Sequence, residues 1–127
     1  MTEFSSTRAT LVVLIVEDEH LLRLHVAEVF KEAGFDVVEA YNADEAIAIL
    51  QSRNDIRIVF TDIEMPGSMD GLKLAHAIRD RWPPIEIVLT SGRRQLDADQ
   101  IPTRSQFIPK PYDPIEMVAA IRNLGSP

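Results

Sequence analysis

Cysteine is missing from this sequence altogether, which excludes a disulfide framework and a thiolate metal site and leaves stability to packing. That composition suits a reducing compartment. Long apolar runs are missing too. The longest, Leu11 to Val16, is far too short to span a bilayer, and the polar start from Met1 to Thr10 has no apolar stretch of the secretory type. These features predict a cytoplasmic chain that does not enter a membrane. Positive charge is scarce: 13 Lys and Arg stand against 20 Asp and Glu, for a formal net charge of -7. Such a balance opposes direct binding of nucleic acid or anionic lipid. A P-loop and a Gly-x-Gly-x-x-Gly turn are both absent, so nucleotide binding has no support.

What is present suits one domain. A chain of 127 residues, 46% hydrophobic and 26% charged, can bury a single core but leaves no room for a second. Its acidic excess either keeps the surface soluble or gathers carboxylates at a cation site. The stretch from Ile58 to Gly71 favours the second reading. An apolar, β-branched run stops at Asp62 and a Pro/Gly/Ser loop follows, placing Asp62 at the C-terminal lip of a buried strand. Open α/β sheets bind their ligands at that lip.

Residues 1–10 read as a flexible leader. Leu11 to Val16 is continuously apolar, as in a strand covered on both faces, and ends at Glu17-Asp18-Glu19. Leu22, Val26, Val29, Phe30 and Ala33 then recur at helical spacing, with Asp18 a candidate N-cap and Gly34 the C-terminal stop. Phe35 to Ala40 predicts a second strand, and Asn42 with Glu45 a capped second helix. Ile56 to Thr61 is the third strand. Leu72, Ala75, Ile78 and Arg79 mark a third helix, which stops near Trp82-Pro83-Pro84. Ile85 to Thr90 is the fourth strand, and a short, weakly anchored fourth helix is expected within Ser91 to Gln100. Gln106 to Ile108 is a brief fifth strand, and a last helix begins at Asp113-Pro114.

Five strands alternating with five helices require crossover connections and a parallel, doubly wound sheet. The C-terminal ends of strands one, three, four and five then carry Glu17 and Asp18, Asp62, Thr90, and Lys110. Singly, each has a structural role as a cap, a β-branched strand residue or a solvated charge. Together they bring three carboxylates, one hydroxyl and one ammonium to one edge. Crowded carboxylates need a cation, and an all-oxygen ligand set favours Mg2+ or Mn2+ over Zn2+. An acid, a divalent ion, an ammonium and a hydroxyl are the parts that phosphoryl transfer to a carboxylate uses.

Val16-Glu17-Asp18-Glu19, Thr61 to Pro66 with Met69-Asp70-Gly71, Leu89 to Gly92, and Phe107 to Pro111 together resemble the receiver domain of two-component response regulators. The resemblance covers about residues 11–124, leaving 125–127 as a short tail. It implies a CheY-like, flavodoxin-like fold with strand order 2-1-3-4-5. By resemblance Asp62 is the phosphoacceptor, Glu17, Asp18 and Asp62 hold Mg2+, and the backbone carbonyl of Glu64 completes the protein ligands. Lys110 would contact the phosphoryl group, and its bond to Pro111 would be cis. Thr90 and Phe107 would form the switch pair, and small Ser91 and Gly92 would leave phosphoryl access open. Two departures stand out. The Met65 to Gly71 loop is one residue longer than the commonest pattern, and Glu17 replaces the commoner Asp, its longer arm reaching metal through water.

The implied function is that of a stand-alone phosphoacceptor, not a turnover enzyme. A sensor histidine kinase or histidine phosphotransfer protein would serve it, and it would signal to a target through its fourth helix, fifth strand and last helix. A homodimer is a further candidate assembly. Two alternatives remain open. One is a Mg2+-dependent phosphatase with an aspartyl intermediate, which resembles the haloacid dehalogenase family but lacks its Asp-x-Asp pair here. The other is a pseudo-receiver that binds partners without phosphate. His20, His25 and His76 fall on predicted helices, away from the strand tips, and Trp82 should pack at the third helix end.

Overall fold

A computed structural model describes residues 11–124, so the expected leader and tail lie outside the described residues. The strands are β1 (Val12–Val16), β2 (Asp36–Ala40), β3 (Ile56–Asp62), β4 (Glu86–Ser91) and β5 (Ser105–Pro109). The helices are α1 (His20–Glu32), α2 (Ala43–Ser52), α3 (Gly71–Arg81) and α4 (Pro114–Leu124). All strand pairs are parallel, in the order β2-β1-β3-β4-β5, as the sequence resemblance implies.

Alternation within the strands divides the apolar side chains between two cores. Val12, Leu14 and Val16 face α2 and α3, meeting Ala46, Leu50, Leu74 and Ile78. Val13 and Ile15 face α1 and α4, meeting Val26, Phe30, Val118 and Ile121. Because both faces are covered, β1 is apolar at every position instead of every second one. On the α1/α4 side the Phe30 ring packs edge-on against Phe35 at 5.3 Å and Phe60 at 5.9 Å between centroids.

Several helix ends follow their sequence signals. Gly34 takes φ 99°, and its amide and that of Phe35 bond back to the carbonyls of Lys31 and Phe30. The Phe30–Phe35 contact completes this Schellman-type stop. Asn42 accepts from the Glu45 amide at 2.8 Å, while Glu45 reaches back to the Tyr41 amide at 2.7 Å, one residue earlier than in an ordinary capping box. Asp18 does not cap α1. The N-cap is Glu19, without a side-chain cap bond, which leaves the Asp18 carboxylate outside the helix start.

The expected fourth helix is the main correction. Among the described residues there are four α-helices, and the β4–β5 connection holds only a turn of 3-10 helix, Ala98–Gln100. Gly92 to Gln95 are all exposed and Leu96 alone is partly buried there, so no apolar stripe exists to bind a helix to the sheet. Side chains of α3 hold the segment instead. Arg79 donates to the carbonyls of Thr103 at 2.6 Å and Arg104 at 3.1 Å, and His76 Nε2 lies 3.4 Å from the Gln100 carbonyl.

The loop from Met65 to Gly71 is pinned although it carries an extra residue. Met65 and Met69 pack on the α2/α3 core, Ser68 donates to Asp44 at 2.8 Å, and Asp70 caps α3 through the Lys73 amide at 2.9 Å. At Gly71 the chain passes so close to β3 that a Cβ would fall 2.0 Å from the Asp62 carbonyl oxygen. The Gly71 amide bonds the Ile63 carbonyl at 3.0 Å, so the helix start cannot retreat without losing that bond. Gly71→Ala is therefore expected to lower unfolding free energy by about 2 kcal/mol or more, as overpacking against a rigid backbone does. Urea denaturation would check this, and an unchanged midpoint would contradict the close approach.

Candidate functional site

Four strand ends meet where the sheet reverses its order, between β1 and β3. From there the chain leaves β1 through α1 on one face and β3 through α3 on the other, which opens a crevice at the C-terminal edge. Glu17 and Asp18 follow β1, Asp62 ends β3, Thr90 lies near the end of β4, and Lys110 follows β5.

Carboxylate oxygens of Glu17, Asp18 and Asp62 lie within 4.8 Å of one another. Glu17 and Asp62 are buried and Asp18 is exposed, so the cluster opens to solvent on one side. Lys110 Nζ sits 3.1 Å from Asp62 Oδ2, and the Glu64 amide donates to Asp62 Oδ1 at 3.3 Å. Thr90 is in register with Asp62 on the adjacent strand. Its hydroxyl is buried without a hydrogen-bond partner, a costly state for a polar atom unless another group comes to meet it. Phe107, paired in register with Leu89, is half-buried against the α2/α3 core.

Burial dominates the electrostatics of Glu17 and pushes its carboxyl up to about 7. The Asp62 charge adds to the rise, while the Glu19 amide, donating to Glu17 Oε2 at 2.9 Å, and Lys110 oppose it. Three acids thus face one ammonium. Their donors are all oxygen, the ligand type that hard divalent cations take, and a cation would relieve the crowding. Tyr112 is pushed up to about 12, by burial first and then by Glu17 and Asp62. Its ring packs edge-on against Phe60 at 6.1 Å.

Three supporting contacts have no direct counterpart in the residue pattern. Arg23 of α1 donates to the Glu17 carbonyl at 2.9 Å and to Glu39 of β2 at 3.1 Å, bracing the β1 end. Gly71 fixes the backbone behind Asp62, and its position after Asp70 in a turn dipeptide was the available signal. The Glu64 side chain accepts from the Ser91 hydroxyl and, at 3.4 Å, from the Gly92 amide. The approach over Ser91 and Gly92, expected to be open, is thus shared with a carboxylate.

The Lys110–Pro111 peptide is cis, as expected. A groove of about 540 Å3 runs from Lys110 past Gly92 and Tyr112 to Leu22 and His25 of α1, so His25 borders the site more closely than its sequence position suggested. His20 instead contacts Arg23 at 3.0 Å and His76 the β4–β5 segment. Trp82 packs at the end of α3 with Arg81 over its ring at 4.6 Å. A larger groove, about 810 Å3, borders Ile56, Trp82 and Ile85 at the opposite end of the strands. It contains none of the converged residues, so size alone does not mark the site.

Residues 13–122 match the family model of the response regulator receiver domain. The chain is 35% identical over 122 residues to the aerobic respiration control protein ArcA of Escherichia coli, covering 90% of this chain and 48% of that protein. It therefore spans about half the length of the curated relatives it matches. A response regulator receiver protein from Sinorhizobium medicae superposes with TM-score 0.83 at 29% identity, covering 91% of this chain and 94% of that one. The response regulator TrrA from Thermotoga maritima, solved in complex with Mg2+-BeF, superposes with TM-score 0.78 at 28% identity, covering 91% and 99%.

The raised Glu17 carboxyl sets a pH dependence. Its folded value lies above its ordinary 4.5, so between there and about 7 the folded chain binds more protons than the unfolded one. Glu17 therefore contributes stability at low pH that is lost as pH rises through about 7. Metal-free protein should lose melting temperature across that window more steeply than Glu17→Gln, and added Mg2+ should restore more of it at the upper end. Parallel profiles for the two proteins would refute the assignment.

Proposed function

Because the chain belongs to the response regulator receiver domain family, we propose that it is a phosphoacceptor of a two-component phosphorelay, with Asp62 as the residue modified. The observation that carries this reading is the meeting of Asp62 with Lys110 at 3.1 Å inside a cluster of two further acids. An Asp62 carboxylate oxygen attacks the phosphorus of a phosphohistidine. The new O–P bond forms as the P–N bond breaks, and the electron pair stays with the ring nitrogen of the donor. A proton on the donor's other ring nitrogen keeps the departing imidazole neutral. Lys110 offsets charge on the phosphoryl oxygens, and the partnerless Thr90 hydroxyl turns to donate to one of them.

Glu17, Asp18, Asp62 and the Glu64 carbonyl would hold Mg2+, with Mn2+ as the alternative, and the bound ion supplies further charge neutralisation at the phosphoryl group. The all-oxygen donors and the high Glu17 carboxyl support this, as does the Mg2+-BeF complex of TrrA. On this reading the chain assists its own modification and is not a turnover enzyme.

The donor, a histidine kinase or phosphotransfer protein, would dock beside the site. Leu21 and Leu24 on α1 and Ile115 on α4 are exposed at 75%, 44% and 76%, and their sequence neighbours Leu22, His25 and Pro114 line the groove that leads to Lys110. The target would read the Gly92 to Gln100 segment, β5 and α4. Thr90 and Phe107 would form the switch pair: the hydroxyl would move towards the phosphoryl group and the ring would turn inward. Driving such an equilibrium nearly to completion takes about 5.5 kcal/mol of differential interaction, which the new contacts to Lys110 and Thr90 would provide.

Asp62→Asn should abolish phosphate incorporation from a histidine kinase or acetyl phosphate, read as intact mass. Undiminished labelling would refute the reading. Thr90→Ala should still accept phosphate yet lose the difference in partner affinity between the two states, measured by titration calorimetry with a target captured on the phosphorylated form.

A further inference from the structure

The Glu64 side chain ties the β3–α3 connection to the end of β4. Its carboxylate accepts from the Ser91 hydroxyl and from the Gly92 amide. Ser91 Oγ in turn accepts from the amides of Arg93 at 3.1 Å and Arg94 at 2.9 Å. A hydroxyl has one proton and two lone pairs. By taking the proton, Glu64 aims both lone pairs at the amides that turn the chain away from β4.

Beyond that knot the segment's apolar anchor is Leu96, partly buried against the α2/α3 core. Arg94 reaches Asp70 at 3.5 Å, His76 reaches Gln100, and only the Arg79 clamp at Thr103 and Arg104 is short and multiple. Gly92 meanwhile lies against Lys110, since a Cβ there would touch Lys110 Cβ and Cδ at 3.8 Å. The first tether of a weakly held segment is therefore built into the wall of the phosphoacceptor site.

We propose that Glu64 is a positioning residue, a latch that holds the Ser91 to Gln100 segment on α3 while Asp62 is unmodified and lets go when Asp62 carries a phosphoryl group. The inference rests on the phosphoacceptor reading of Asp62. A phosphoryl group adds about 1.5 to 2 negative charges beside a residue whose amide already touches the Asp62 carboxylate. The added charge repels the like charge of the Glu64 carboxylate, which bonds Gly92 beside Lys110. The phosphoryl oxygens, charged acceptors themselves, also compete with Glu64 for the Gly92 amide. Glu64 is partly exposed, so its carboxylate has water to move into. Ser91 then loses its orienting partner, and the segment swings about the Arg79 clamp.

Trypsin cleavage after the exposed Arg93 and Arg94, followed by mass spectrometry against cleavage after the exposed Arg53 at the opposite end of the strands, tests this. In the unaltered chain, acetyl phosphate with Mg2+ should raise cleavage after Arg93 and Arg94 several-fold. Glu64→Ala and Ser91→Ala should show the raised rate without phosphate and gain little from it. Glu64→Gln keeps an acceptor for Ser91 but no charge, so it should start protected and respond less to phosphate. A purely structural Glu64 would leave the response to phosphate intact in Glu64→Gln. Cleavage of unmodified Glu64→Ala and Ser91→Ala at the unaltered rate would overturn the latch, whatever the chemistry at Asp62. Phosphate present by intact mass without increased cleavage would overturn the latch and leave the phosphoacceptor reading standing. Failure to incorporate phosphate would overturn both. Circular dichroism would establish that each variant is folded, and Glu64→Gln keeps the test open if either alanine variant is not.

Discussion

Crowding of negative charge at one edge of the sheet is the constraint on which the rest of the structure turns. Glu17, Asp18 and Asp62 approach one another within 4.8 Å, and a single ammonium, from Lys110, answers them at close range. Separated on a surface, the same acids would be solvated and inert. Held together and partly dry, they raise the Glu17 carboxyl and create a demand for positive charge. Added positive charge would relieve that starting arrangement.

Maintaining that arrangement is the task of the two cores. The acids come from β1 and β3, which are neighbours at the centre of the sheet and are packed on both faces. Arg23 braces the end of β1 against β2, and Gly71 lets α3 begin directly against the Asp62 carbonyl. The charges therefore cannot relax by moving apart without disturbing buried apolar contacts. Rigidity of the sheet holds the repelling groups together where a looser frame would unfold locally.

The opposite design holds between β4 and β5. Where the alternating pattern leads one to expect a fourth helix, the chain is an exposed connection with one turn of 3-10 helix, held by side chains of α3 and the α3 entry. Polar contacts at a surface are individually weak and exchange readily with water. The stiff part of the molecule thus carries the candidate site, and an exposed segment with Leu96 as its apolar contact lies beside it, joined through Glu64, Ser91 and Gly92.

Much of this was legible in residue order. Continuous apolar runs marked central strands, Gly34 and Asn42 marked helix ends, and four separated motifs indicated that Asp18, Asp62, Thr90 and Lys110 share an edge, because strand ends follow directly from periodicity and crossover rules. The missing helix was foreshadowed by a segment with Leu96 and little else to bury. What the order of residues could not supply were relations across elements at side-chain length. These include the Glu64 carboxylate on Ser91, Arg79 on the Thr103 and Arg104 carbonyls, Arg23 beneath Glu17, and the rise of the Glu17 carboxyl itself. Periodicity is a property of one segment and survives in the sequence. Desolvation and hydrogen-bond partnership depend on which distant segments pack together and at what rotamer, so they come into existence only when the chain has folded.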